Sequence, residues 1–174
     1  MRYSVKDVTI ISLTVGLTVA LGYVFYIIGS FLPIPGHKFI IFAPFFGFVL
    51  FIPLYKIKKV GVMTLFSLVF GFIMTHASIF MPLAITLTGI SADIITLILF
   101  QNYKKKWKII ASIGFYPVAA IVWVFIVSYY LIGNPAYAYT GSWFFAVALL
   151  FFVYILGTLG AYLCNKFVYT KMKI

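Results

Sequence analysis

Six apolar stretches follow one another along the chain, at approximately 8–32, 39–55, 60–75, 77–100, 109–132 and 142–165, and Asp93 is the one charged residue inside them. A helix needs about 20 apolar residues to cross the roughly 30 Å hydrocarbon core of a bilayer. Backbone in that medium must satisfy its own hydrogen bonds, which favours helices over irregular chain. The pattern therefore predicts an all-α polytopic membrane protein with six transmembrane helices. Composition agrees: 65% of the 174 residues are apolar and 9% are charged, too few charges to cover a water-soluble surface. A disordered tail and a water-soluble enzyme are excluded on the same ground. The single cysteine, Cys164, cannot pair within the chain, which excludes a disulfide scaffold.

The boundary between the third and fourth stretches is the least marked. Residues 60–100 nevertheless span 41 positions, about twice one crossing. Thr75, His76 and Ser78 form their most polar local cluster, with Pro82 just beyond. Helix, tight turn, helix is the economical reading, and the charges test it. Lys56, Lys58 and Lys59 precede the doubtful pair; Lys104, Lys105, Lys106 and Lys108 follow it. Arg2 and Lys6 lie at the N-terminus, and Lys166, Lys171 and Lys173 at the C-terminus. With six crossings, twelve of the thirteen basic residues fall on one side and only Lys38 on the other. The positive-inside rule then places both termini in the cytoplasm of a multi-pass cell-membrane protein.

The same distribution gives the net charge of +11 an ordinary meaning. Dispersed over four short cytoplasmic segments, the lysines set topology and face the anionic headgroups of the lipid bilayer. Nucleic-acid binding would require them on one basic face with exposed aromatics, so no nucleic-acid partner is expected. The first apolar run is too long for the core of a cleaved signal peptide. Residues 1–174 are read as a single six-helix transmembrane domain.

The segments expected outside the cell are nearly uncharged but chemically specific. Between the first two stretches, Pro33 and Pro35 fix φ and Gly36 permits positive values, so a rigid connection is expected there. The same connection holds His37 and Lys38, the only outward lysine. His76 lies at the next outward turn. The last outward connection holds Asn134, Tyr137 and Tyr139, flanked by Tyr129, Tyr130 and Trp143, so five aromatic residues fall between 129 and 143. Two readings stand side by side: a belt of Tyr and Trp at headgroup level, or a pocket that stacks a planar ligand while Lys38, His37 or Asn134 engages its polar groups. Trp123, on the fifth stretch, completes the candidate ligand-binding set.

Asp93 lies within the fourth stretch, where a charged side chain costs at least about 2.5–3.5 kcal/mol. It either accepts hydrogen bonds from Ser, Thr or backbone inside the bundle, or acts as a ligand contact or gate. No basic residue inside an apolar stretch is available to pair with it, which favours the first reading. On the first helix Ser12, Gly16 and Ala20 recur every four residues, and Thr14, Thr18 and Gly22 form a second small row. Such rows let helix backbones approach closely in membranes, either within the chain or against another subunit. Ser67 and Gly71 repeat the spacing once on the third helix.

Several short pieces, in this order, resemble the substrate-binding S components of energy-coupling-factor (ECF) transporters, and among them the Trep_Strep group. They are Val5-Lys6-Asp7 opening the first helix, the Pro-rich segment 33–36, Lys59-Val60-Gly61 before the third helix, Gly89-Ile90-Ser91-Ala92-Asp93-Ile94, and Tyr103-Lys104-Lys105. The size, six helices and small-residue first helix fit as well. The resemblance implies a subunit that captures a vitamin-like micronutrient outside the cell and works with a transmembrane T component and two cytoplasmic ATPases. In the family, small residues of the first helix, typically Ala-x-x-x-Ala, meet the T component. Ser12, Gly16 and Ala20 stand at the corresponding place, keeping the small size but not the literal motif. Asp93 matches an acidic position in the group. Metal-carrying members bind through a His directly after the initiator Met; Arg2 stands there in this chain, so neither nickel nor cobalt is expected. There is no resident cofactor in this reading, and no metal site.

No Gly-rich phosphate loop ending in Lys-Ser or Lys-Thr is present, so ATP hydrolysis would belong to partner subunits. A transport subunit rather than an enzyme is the expectation. The alternatives are an intramembrane enzyme acting on lipids or isoprenoids, for which paired acids or a metal box are wanting, and a ligand-free structural subunit.

Overall fold

The computed structural model describes residues 3–30, 37–76, 78–133 and 143–170. They form six helices: α1 (Val5–Ser30), α2 (His37–Ile57), α3 (Val62–Ile73), α4 (Met81–Phe100), α5 (Lys106–Val127) and α6 (Trp143–Cys164). A 3-10 turn, Met74–His76, prolongs α3, and wider π turns, Ser128–Ile132 and Asn165–Thr170, prolong α5 and α6. No strand occurs among the described residues. Each apolar stretch corresponds to one helix. Five of them, all but α3, are long and apolar enough to cross a membrane. The twelve residues of α3 rise only about 18 Å, so its 3-10 extension supplies part of the length that the sequence pattern assigns to the third stretch.

Local chemistry sets the helix ends. Ser4 and Asp7 form a reciprocal capping box: the Ser4 amide donates to Asp7 Oδ2 at 3.0 Å and the Asp7 amide to Ser4 Oγ at 3.2 Å. Lys58 closes α2 with φ 54° and its amide donating to the Leu54 carbonyl at 2.9 Å. Gln101 closes α4 in the same left-handed conformation, φ 61°, with its amide on the Leu97 and Thr96 carbonyls. A non-glycine residue there costs about 1–2 kcal/mol, against which the capped carbonyls are satisfied. Pro82 sits in the first turn of α4, where its missing donor is not needed.

The basic segments converge on one end of the bundle. Tyr3 Oη donates to the Val60 carbonyl at 2.8 Å, and Lys59 Nζ lies 2.7 Å from Asp7 Oδ2. The Lys106 ammonium lies over the Tyr55 ring, and Tyr55 packs on Tyr169 with centroids 4.5 Å apart. The N-terminus, the α2–α3 and α4–α5 connections and the C-terminal turn therefore meet, and successive helices alternate in direction.

α2 lies at the centre, packed on α1, α3, α5 and α6, whereas α1 lies at the edge against α2 and α3. The core between them holds Leu50, Phe51, Leu54, Met63, Phe66 and Ile113. Helix backbones come close where glycines face prolines or other glycines. A Cβ on Gly160 would overlap the Pro44 carbonyl, one on Gly47 would overlap the Gly157 carbonyl, and one on Gly157 would meet Pro117 Cγ at 2.9 Å. On the α3–α4 side, a Cβ on Gly89 would overlap Ser67 and one on Gly71 would meet Pro82 Cα at 3.2 Å. The Ser67–Gly71 row is thus consumed by packing within the chain.

Candidate functional site

The described members of the expected ligand pocket lie toward the end opposite the basic segments. Trp123, half-buried on α5, donates from Nε1 to Ser91 Oγ of α4 at 2.7 Å, a partner the sequence did not point to. His76 is exposed in the 3-10 turn, with Nδ1 against the Ile73 carbonyl of the preceding turn. Tyr129 and Tyr130 lie in the π turn after α5, 51% and 76% exposed, their rings edge to face at 5.0 Å. His37 and Lys38 begin α2 and Trp143 begins α6; their side chains, with all of Asn134, Tyr137 and Tyr139, lie outside the described residues, as does segment 33–36. Among the described members, Tyr129 and Tyr130 are in ring contact.

Two grooves are lined by other residues. One, of about 870 Å³, runs along the outer side of α1 past Val8, Ser12, Leu13, Gly16, Leu17 and Ala20. Ser12, Gly16 and Ala20 are all exposed, and a Cβ on Gly16 would meet nothing within 4 Å. Thr14, Thr18 and Gly22 point inward instead, with Gly22 against the rings of Phe42 and Phe45 on α2. The two small rows that look alike in sequence therefore have opposite fates: one packs inside the chain and the other faces out.

The second groove, of about 280 Å³, lies between the start of α3 and α4, with Asp93 among its lining residues. Asp93 is 4% exposed and accepts three hydrogen bonds. Its Oδ2 takes the Thr64 amide at 2.8 Å and the Thr64 hydroxyl at 2.7 Å, and its Oδ1 takes the Tyr103 hydroxyl at 2.9 Å. Thr64 is the third residue of α3, and its amide is one of those left without an intrahelical partner at a helix start. Gly61, at the cap position with φ 96°, has no side chain to offer. Asp93 thus caps α3 from the neighbouring helix, where the helix dipole also favours negative charge. Tyr103 holds the other oxygen from the α4–α5 connection. Burial and the nearby Asp93 charge push the Tyr103 phenol far above its usual range, so it remains a neutral donor.

The chain matches no family model, no curated protein and no solved structure. No group of three or more His, Cys, Asp or Glu side chains able to hold a metal occurs among the described residues. Ser67 and Tyr116 share a buried hydroxyl–hydroxyl bond of 2.8 Å between α3 and α5, which ties the two helices together. Sequence reasoning missed Thr64 and Ser91, which become partners only through helix–helix packing, and Tyr103, which the connection after α4 folds back onto Asp93.

Proposed function

We propose that the chain is the solute-binding S subunit of an ECF-type uptake transporter of the Trep_Strep-like group. In this reading it crosses the membrane six times, with both termini in the cytoplasm. It takes a small planar solute at the end opposite the basic segments, where Trp123, His76 and the Tyr129–Tyr130 pair lie. A membrane T component and two ATPases complete the transporter, and the chain itself performs no catalysis. The observation that carries the proposal is the outward row of Ser12, Gly16 and Ala20 on the edge helix, left open while the bundle's tightest glycine contacts lie on other helices. A smooth exposed face of that kind suits backbone-close docking of another membrane helix.

Gly16→Leu is the direct test. It is expected to weaken co-purification with the T component by at least about tenfold, as overpacking of a close contact does. The melting temperature of the isolated subunit and the solute detected on it by native mass spectrometry should not change. Unaltered co-purification would remove the interface, and a subunit that carries no solute after growth in rich medium would remove the transport role.

The crossing number has its own test at α3, the shortest helix. Ser78→Cys is expected to react with a membrane-impermeant thiol reagent in intact cells, whereas Asn102→Cys should react only after lysis. Both residues lie in turns between helices, and the buried Cys164 gives little background. Labelling of both from the same side would mean that α4 does not cross, and the reversed pattern, Asn102→Cys labelled in intact cells and Ser78→Cys only after lysis, would overturn the crossing of α3.

A further inference from the structure

The end of the bundle where the basic segments meet is built around two aromatic rings. Lys58 Nζ, from the left-handed residue that closes α2, lies 5.2 Å from the centroid of the Tyr55 ring. Lys106 Nζ, from the first residue of α5, lies 5.5 Å from the same centroid. Lys56 Nζ lies 5.6 Å from the Tyr169 ring, which packs on Tyr55 with centroids 4.5 Å apart. Three ammonium groups, two from the end of α2 and the residue that closes it and one from the start of α5, thereby lie against one pair of packed rings. All three lysines are exposed.

Nothing acidic in the chain's side chains balances them. The chain has two acidic residues. Asp7 is held by Lys59 and the α1 cap, and Asp93 by Thr64 and Tyr103. A cation–π contact engages one side of an ammonium and leaves its other N–H donors for an anion. The platform also sits where apolar helices end, which for a membrane-spanning bundle is the level of the lipid headgroups, where Tyr is common. Basic pockets between helix ends at such a depth suit anionic headgroups.

We infer that Lys58 and Lys106, with Lys56 beside them and Tyr55 beneath, form a binding site for the phosphate of an anionic phospholipid. The lipid's acyl chains lie along the apolar helices while its phosphate bridges the two ammonium groups. The site fastens the α2–α3 connection to the α4–α5 connection through a shared anion. The inference is independent of the transport reading, because it requires neither solute nor partner subunit.

Native mass spectrometry of the detergent-purified chain, titrated with phosphatidylglycerol and separately with phosphatidylcholine, tests it. Phosphatidylglycerol should bind more tightly. Lys58→Gln combined with Lys106→Gln should weaken it roughly 30-fold, equivalent to about 2 kcal/mol at about 1 kcal/mol per lysine. Lys104→Gln combined with Lys166→Gln removes the same charge from other exposed lysines of this end and should weaken it less than about threefold. Melting in lipid-free detergent should be alike for both double variants, which shows that neither has lost its fold. Equal losses in the two variants, or equal binding of the two lipids, would overturn the site in favour of diffuse attraction. Displacement of phosphatidylglycerol by inorganic phosphate at equal concentration would overturn the lipid as occupant.

Discussion

Gly160→Ala is expected to destabilise the bundle by about 3 kcal/mol, lowering the melting temperature by roughly 10 °C in detergent. The added methyl would overlap the Pro44 carbonyl and approach Pro44 Cα at 2.8 Å. Those atoms are backbone of α2, so no rotamer change relieves the clash. α2 and α6 must move apart, and that movement also opens the neighbouring contact in which Gly47 faces Gly157 and Ala161. Because α2 is the central helix, the separation propagates to its other neighbours. Gly16→Ala makes the same chemical change where nothing lies within 4 Å. It should be neutral or raise stability by up to about 1 kcal/mol through helix propensity. Thermal unfolding followed by circular dichroism reads both, and equal melting of Gly160→Ala and the unaltered chain would disprove the backbone contact between α2 and α6.

Asp93→Ala is expected to cost about as much, roughly 3 kcal/mol, for a different reason. Removing the carboxylate leaves the Thr64 amide, the Thr64 hydroxyl and the Tyr103 hydroxyl without their acceptor in a buried place, and each unsatisfied group costs about 1–3 kcal/mol, less where a hydroxyl can turn to another acceptor. Asp93→Asn should lie between, because its amide nitrogen faces at least one donor. Tyr103→Phe removes only one of the three bonds and should cost about 1.5–3 kcal/mol. The double variant Asp93→Ala with Tyr103→Phe should be less destabilised than the sum of the two, by about 1 kcal/mol or more, as bonded neighbours are. Strict additivity in that cycle would mean that the two side chains do not share a bond. Loss of the cap should also be local, with hydrogen exchange accelerating first at the start of α3.

Much of the helical plan was legible along the chain. The six stretches predicted at 8–32 through 142–165 each became a helix, and the polar cluster at Thr75, His76 and Ser78 became the turn between α3 and α4. The lysines marked the helix ends for the same local reason, since none of them stands inside an apolar stretch. The third stretch was less regular than its hydropathy suggested, because a run of apolar residues does not distinguish an α-helix from its 3-10 continuation. The candidate pocket was less legible still. Trp123 is bonded to Ser91 and His76 folds back on its own turn, and no spacing rule anticipates either partner.

Ser12, Gly16 and Ala20 were equivalent to Thr14, Thr18 and Gly22 until α1 was packed. A helix that is apolar all round carries no contrast between its faces, so periodicity cannot orient it about its own axis. That rotation comes from residues distant along the chain: Phe42 and Phe45 receive Gly22, and the opposite face of α1 is left open. Asp93 followed the same logic. Its cost inside an apolar stretch was evident from transfer energetics alone, but its role as a cap depended on bringing Thr64, 29 residues away, and Tyr103 to its two oxygens. Hydropathy is a local sum and can be read one window at a time. Helix rotation and hydrogen-bond partnership are relations between windows, and they exist only once the helices have met.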